Sequence, residues 1–233
     1  MNILCFSEDN ISSVLSAIEH QLCYDPHSPM IFNSGLFLFL FLAFSFIYAT
    51  LKNHLSARLV FVTAFSYYFY YKSSGFYFFL LAIVTTSDWL LSRLISKVEV
   101  KGVAAKSLMI ASLCIDLGLL GYFKYTNFFC SLWSDVIGGN FQPYDIFLPV
   151  GISFFTFQSL SYTIDVYRGD IKPIRSLLDY AFYVSFFPQL VAGPIVRARD
   201  FVPQIRKPIN ITPEMFGTGI FLIAGGLFKK AVI

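Results

Sequence analysis

Gln158, Tyr162 and Asp165 recur at intervals of four and three, so a helix carries all three on one face. They sit in FLPVGISFFTFQSLSYTIDVYRGD, where Ser153, Thr156, Ser159, Ser161 and Thr163 interrupt an apolar run that follows Pro149 and Gly151. An amide, a phenol and a carboxyl in one stripe could hold a polar substrate or line a water-filled path. The neighbouring hydroxyls could equally fasten helix to helix, and the spacing does not choose between the two. A second stretch, FFPQLVAGPIVRARDF, starts as an oily run, breaks at Pro188, Gly193 and Pro194, and turns basic at Arg197 and Arg199. Each proline removes a backbone donor. Broken backbone at membrane depth is tolerated only where protein or cavity water satisfies the freed groups. Gln189 lies inside the break, so the stretch reads as an interrupted element bordering a cavity.

Other ionisable residues in apolar runs carry structural readings. Asp116, in SLMIASLCIDLGLLGYFKY, is expected to find a partner on a neighbouring helix, and Lys124 to snorkel. Asp88 and Trp89, close to the end of their run, read as interfacial. The three histidines, His20, His27 and His54, all lie near the start. No GxSxG, HExxH or phosphate-cradling loop occurs, and no pair of carboxylates is spaced for acid/base work. Cys5, Cys23, Cys114 and Cys130 form no CxxC and read as unpaired thiols. Neither a metal nor a bound cofactor is expected.

The elements that position these residues follow from composition. Of 233 residues, 56% are hydrophobic and 13% charged, with 28 Phe and 14 Tyr. A soluble domain of this length needs more charge to cover its surface, so the membrane is the solvent. Ile31 to Leu51 runs without a charge and is long enough to cross. Further segments are predicted at Leu59 to Tyr71, Gly75 to Ser92, Ser107 to Phe129, Ile146 to Tyr167, Tyr180 to Val196 and from Met215 onward. The fold class is thus an all-α polytopic membrane protein of about six to seven transmembrane or re-entrant helical segments. Residues 1–29, which hold no Lys or Arg, are expected to be an extension, weakly helical over Ile11 to Leu22 or untranslated, with Met30 as the start. Residues 30–233 form one membrane domain.

Basic residues set the orientation. Lys52 and Arg58, Arg93 to Lys106, and Arg168 to Arg175 fall in loops on one side, which is expected to be cytoplasmic. The amino terminus is then outside. Lys72, beside SYYFYY, is expected to snorkel to that outer interface. If Tyr180 to Val196 dips in and returns, Arg197, Arg199, Arg206 and Lys207 stay on the basic side. A proline-kinked spanning helix is the alternative, and Lys229 and Lys230 count in its favour. The basic residues punctuate apolar runs and form no phosphate-tracking face, so no nucleic acid partner is expected.

FLPVGISFFTFQSLSYTIDVYRGDI followed by LLDYAFYVSFFPQLVAGPIVRARDFVPQI resembles the membrane-bound O-acyltransferase family, in its bacterial alginate O-acetyltransferase branch. The resemblance extends from MIFNSGLFLFLF through GYFKYTNFF to GLFKKAVI. It implies a multi-pass enzyme of the bacterial inner membrane. Acetyl-CoA or another cytoplasmic acyl donor would meet an acceptor through a tunnel, serving exported polysaccharide together with partner acetylation proteins and membrane lipid. Gln158, Tyr162, Asp165, Pro188, Gln189, Gly193, Pro194 and Arg197 are the candidate walls of that tunnel or substrate path. The family's catalytic histidine belongs to its carboxy-terminal half, and no histidine follows His54 here. The chain is therefore expected to be the amino-terminal part of such an enzyme, truncated or split, inactive without a separate carboxy-terminal half. A transporter or channel-like subunit, and a non-catalytic membrane scaffold, are the alternatives.

Overall fold

A charge-free run with one hydroxyl at its head makes the first helix. The Oγ of Ser34 accepts from the Phe37 N–H at 3.1 Å and caps α1 (Gly35–Thr50). Phe39, Leu42 and Phe46 remain exposed along it, as a helix surrounded by lipid leaves its apolar side chains. The chain continues through α2 (Leu55–Ser74), α3 (Phe78–Ile95) and α4 (Val103–Leu120). A π-helical turn, Gly121–Tyr125, carries α4 into α5 (Thr126–Ile137). Then come α6 (Ile152–Arg168), α7 (Leu177–Ser185), the single turn α8 (Phe187–Leu190), α9 (Ala198–Ile205) and α10 (Pro213–Val232). This computed structural model describes residues 23–26, 29, 30, 32, 34–99, 102–191, 193–208 and 211–232. The helix expected over Ile11 to Leu22 lies outside them, as do His20 and His27.

Among the described residues there is no strand. Three helical stretches among the described residues are long and apolar enough to cross a membrane: Gly35–Asn53, Leu55–Ile95 and Val103–Ile137. The second folds back on itself at Gly75, whose φ is 61°, so that Tyr67 of α2 meets Thr85 of α3. The protein is an all-α membrane protein. One boundary differs from the pattern in the sequence. The segment expected from Ile146 becomes helical only at Ile152, because Pro149 and Gly151, with φ 73°, hold the preceding residues out of the helix.

The helix ends sort into two groups. At one, Arg58 opens α2, Arg93 closes α3, and Arg168 closes α6; the Arg93 guanidinium donates to the Arg175 carbonyl at 3.4 Å. At the other, the Val150 N–H before α6 donates to Ser74 Oγ at the end of α2, at 3.0 Å. Lys72 lies at this second end. It does not snorkel: it is 3% exposed and donates to the Cys23 carbonyl, because Tyr24 and Met30 also pack over the end of α2. The Tyr24 N–H donates to the Tyr71 hydroxyl at 3.3 Å, and Ser73 Oγ donates to the Met30 carbonyl at 2.9 Å.

The broken stretch turns back rather than crossing. It leaves the first end as α7, antiparallel to α6: Tyr180 meets Ser159, and the Gln158 Nε2 donates to the Tyr183 carbonyl at 2.8 Å. Its tip at Leu190 reaches Gly151 at the far end of α6, where a Cβ on Gly151 would sit 2.3 Å from the Leu190 carbonyl oxygen. The chain then returns to the end it came from. Arg206 pairs with Asp179 at 2.8 Å, and the Arg58 guanidinium donates to the carbonyls of Ile205 and Lys207, each at 3.2 Å. Pro188 falls in the first turn of α8, where its missing N–H leaves no helical bond unmade. Gly193 is needed for a different reason: a Cβ there would lie 2.4 Å from the Gln189 Cα.

Candidate functional site

The polar stripe of α6 is buried against this hairpin and against α3 and α4. Gln158, Tyr162 and Asp165 are 3%, 0% and 8% exposed. The Tyr162 hydroxyl lies 3.1 Å from Ser92 Oγ of α3 and accepts from the Ile174 N–H at 3.0 Å. One ring away, Tyr180 stacks obliquely on Tyr162 with centroids 4.6 Å apart. The Tyr183 hydroxyl donates to the Val196 carbonyl at 2.9 Å, so the outgoing and returning arms of the hairpin are tied together.

Behind the stripe lies a cluster of groups with no exposure at all. Asp88 of α3 accepts from Ser112 Oγ of α4 at 2.5 Å and from Ser159 Oγ of α6. Ser159 in turn lies 2.7 Å from the Tyr180 hydroxyl, and Ser112 donates to Thr163 at 3.3 Å. Asp116 of α4 sits in side-chain contact with Asp88, and neither of its oxygens meets a donor. Asp88 is therefore not interfacial. It points inward between α4 and α6 because the face of α3 that bears it, with Leu81, Val84, Thr85 and Ser92, is the one turned into the bundle. Asp116 does meet a neighbouring helix, as expected, but what faces it is a second acid. The carboxyl pair escaped the sequence because 28 positions separate its members. The only signal was that both sit in apolar runs with a serine four positions away, Ser92 after Asp88 and Ser112 before Asp116.

The remaining candidates lie apart from this core. Pro188 is exposed and Gln189 half-buried at the hairpin tip; Pro194 and Arg197 are exposed on the returning arm, and Gly193 is half-buried there. Two openings flank that arm. A cleft of about 480 Å³ at the tip end is lined by Lys124, Pro149, Gly151, Ser153, Phe157 and Ile195. Lys124 projects from the π-helical turn, donates to Ser153 Oγ at 3.1 Å and lies over the Tyr125 ring. A smaller cavity of about 250 Å³ at the basic end is lined by Ile171, Lys172, Ile174, Ala198, Arg199 and Val202. His54, the one histidine among the described residues, is exposed at the start of α2. No group of three or more His, Cys, Asp or Glu among the described residues is placed to hold a metal ion.

An all-α membrane bundle folded around a re-entrant hairpin, with a buried polar seam behind it and an opening at each end, is the class that fold and site define. Within that class the chain is similar to alginate O-acetylases over 88% of its length. A Pseudomonas aeruginosa protein named "Probable alginate O-acetylase AlgI" is 36% identical over 208 residues, 88% of this chain and 40% of that one. Its namesake in Azotobacter vinelandii is 38% identical over 208 residues, 88% of this chain and 41% of that one. The peptidoglycan O-acetyltransferase of Helicobacter pylori is 35% identical over 151 residues, 54% of this chain and 29% of that one. This chain thus resembles the alginate O-acetylase branch of the membrane-bound O-acyltransferases, and it spans about two fifths of the length of those alginate O-acetylases. No family model matches it, and no solved structure does.

Proposed function

We propose that these residues form the substrate-path portion of a membrane O-acyltransferase that passes acetyl groups from a cytoplasmic donor towards an exported polysaccharide. The similarity to alginate O-acetylases at 32–38% identity over 88% of the chain carries this reading. The hairpin supports it in physical terms. Its returning arm borders both openings, Ile195 at one and Ala198, Arg199 and Val202 at the other, as the wall of a path would. Gln158 and Tyr162 back the hairpin's outgoing arm, at Tyr183 and Tyr180, with Asp165 on the same buried face, and Pro188, Gln189, Gly193 and Pro194 give the hairpin its bend. Lys172 and Arg199 make the smaller cavity cationic, which suits the phosphates of acetyl-CoA or of another anionic acyl donor. That end would be cytoplasmic, in a bacterial inner membrane, with the amino terminus outside.

Acyl transfer also needs a base beside the attacking hydroxyl. His54 lies outside the core and the openings, so the base would come from sequence beyond these residues, in a separate or continuing carboxy-terminal half. Partners would be that half, other polysaccharide acetylation proteins, and lipid. The test is acetyl transfer from labelled acetyl-CoA in nanodiscs, by this chain alone and after co-expression with the carboxy-terminal half of an alginate O-acetylase. The reading predicts no turnover alone, turnover with the second half, and loss of it when Lys172 and Arg199 are both changed to Gln. Turnover by the chain alone would contradict the division of labour. Full turnover in the reconstituted K172Q/R199Q variant would contradict the donor site.

A further inference from the structure

Asp88 and Asp116 are both 0% exposed and in side-chain contact, one on α3 and one on α4. Their environments are unequal. Asp88 already accepts from Ser112 and Ser159, one hydroxyl to each oxygen, whereas both Asp116 oxygens lack a donor. No Lys, Arg or His among the described residues forms an ion pair with either carboxyl. Arg93, on the same helix as Asp88, lies over the Trp89 ring and reaches the Arg175 carbonyl. The other titratable groups facing the pair are phenols, Tyr162 of α6 and Tyr180 of α7. From α2, Tyr67 reaches only as far as Thr85. Two ionised carboxylates in contact, away from water and without a cation, repel strongly. A buried acceptor with no donor is a second penalty at the same atoms. One hydrogen placed between the two acids removes the repulsion, gives one Asp116 oxygen a partner and leaves the other as a neutral carbonyl in place of half a buried anion.

We propose that Asp88 and Asp116 form a proton-binding site in the membrane domain, in which Asp116 retains its proton and donates it to the Asp88 carboxylate. The pair then carries a single negative charge, held by three donors: Ser112, Ser159 and Asp116. Because those donors come from α4 and α6, the proton joins α3, α4 and α6. Through the Ser159 contact to Tyr180 it also fixes the outgoing arm of the hairpin. Losing the proton sets two negative charges against each other, pushes α3 from α4 and draws Ser159 away from Tyr180.

A proton bound by the folded pair and not by the unfolded chain makes the folding equilibrium constant fall as pH rises, by about tenfold per pH unit for one proton. Asp116→Asn presents an amide N–H in place of the acid O–H and removes this slope.

Two measurements on the full chain test the site. Isotope-edited infrared spectroscopy with labelled aspartate, in nanodiscs near neutral pH, should show the carbonyl stretch of a protonated carboxyl, and D116N should lack it. The folding equilibrium constant, read from unfolding in mixed micelles between about pH 5 and about pH 8, should fall about tenfold per pH unit more steeply in the parent chain than in D116N. Absence of the band from the parent chain would overturn the proposal, and that measurement needs no variant to fold. Equal slopes would overturn it as well. So would stabilisation by sodium ions that D116N abolishes, since a bound cation would then occupy the place assigned to the proton.

Discussion

Two regions hold the hairpin, and they use opposite chemistry. Its outgoing arm is fastened to a polar seam, where Asp88, Ser112, Ser159, Tyr162 and Tyr180 meet with no exposure to solvent. Its tip is pressed into phenylalanine. Phe187 lies 5.4 Å from Phe44, 5.1 Å from Phe65 and 5.8 Å from Phe69, ring centre to ring centre, with Phe37 at 6.3 Å. A hydrogen bond from the Phe187 N–H to Ser66 Oγ, at 3.2 Å, ties the tip to α2. Lipid tails are as apolar as phenylalanine, so ring packing gains only the difference between a fitted neighbour and a fluid one. A donor and an acceptor buried in oil have no such substitute. The polar seam should therefore decide whether the hairpin docks, and the aromatic seam how closely its tip is held.

Substitutions in the two seams rank that claim. Asp88→Ala takes away the acceptor that Ser112, Ser159 and Asp116 share, and the loss should be about 3 kcal/mol, read by unfolding in mixed micelles. Phe187→Ala removes one ring from the aromatic seam. The same change in a water-soluble core costs about 3 to 5 kcal/mol, but lipid replaces part of the contact, so about 2 kcal/mol is expected here. A Phe187→Ala loss larger than that of Asp88→Ala would reverse the ranking. At the far end of the scale stands Arg206→Gln. Asp179 is 10% exposed but Arg206 is 57% exposed; solvent screening reduces such a pair to about 0.5 kcal/mol. A loss several times greater would show that this pair, rather than the buried seam, holds the returning arm.

Much of this arrangement could be read from the sequence, and the part that could not has a physical cause. Uninterrupted apolar runs such as GLFLFLFLAFSF specify membrane helices whatever their neighbours do, so α1 to α4 fall where the runs fall. The three- and four-residue spacing of Gln158, Tyr162 and Asp165 correctly marked the inner face of α6. Asp88 and Asp116 went unpaired because a contact between helices depends on how each is rotated, and no local spacing records that. Lys72 looked like a snorkelling side chain because nothing in SYYFYYK shows that Cys23, Tyr24 and Met30 cover it. The choice between a re-entrant and a kinked spanning element was open for the same reason. It turns on Arg58 meeting Ile205 across 147 positions, and on Arg206 meeting Asp179.

The re-entrant course of residues 177–205 is the claim on which the rest stands, and sidedness tests it most directly. Single cysteines at Lys97, Gly139 and Asp200, in a background without the four native ones, are all at exposed positions. An impermeant thiol reagent added to intact cells and to inverted vesicles should treat positions 97 and 200 alike and position 139 in the opposite way. Labelling of position 200 from the same side as position 139 would mean that the chain crosses between Leu177 and Asp200, contradicting the hairpin.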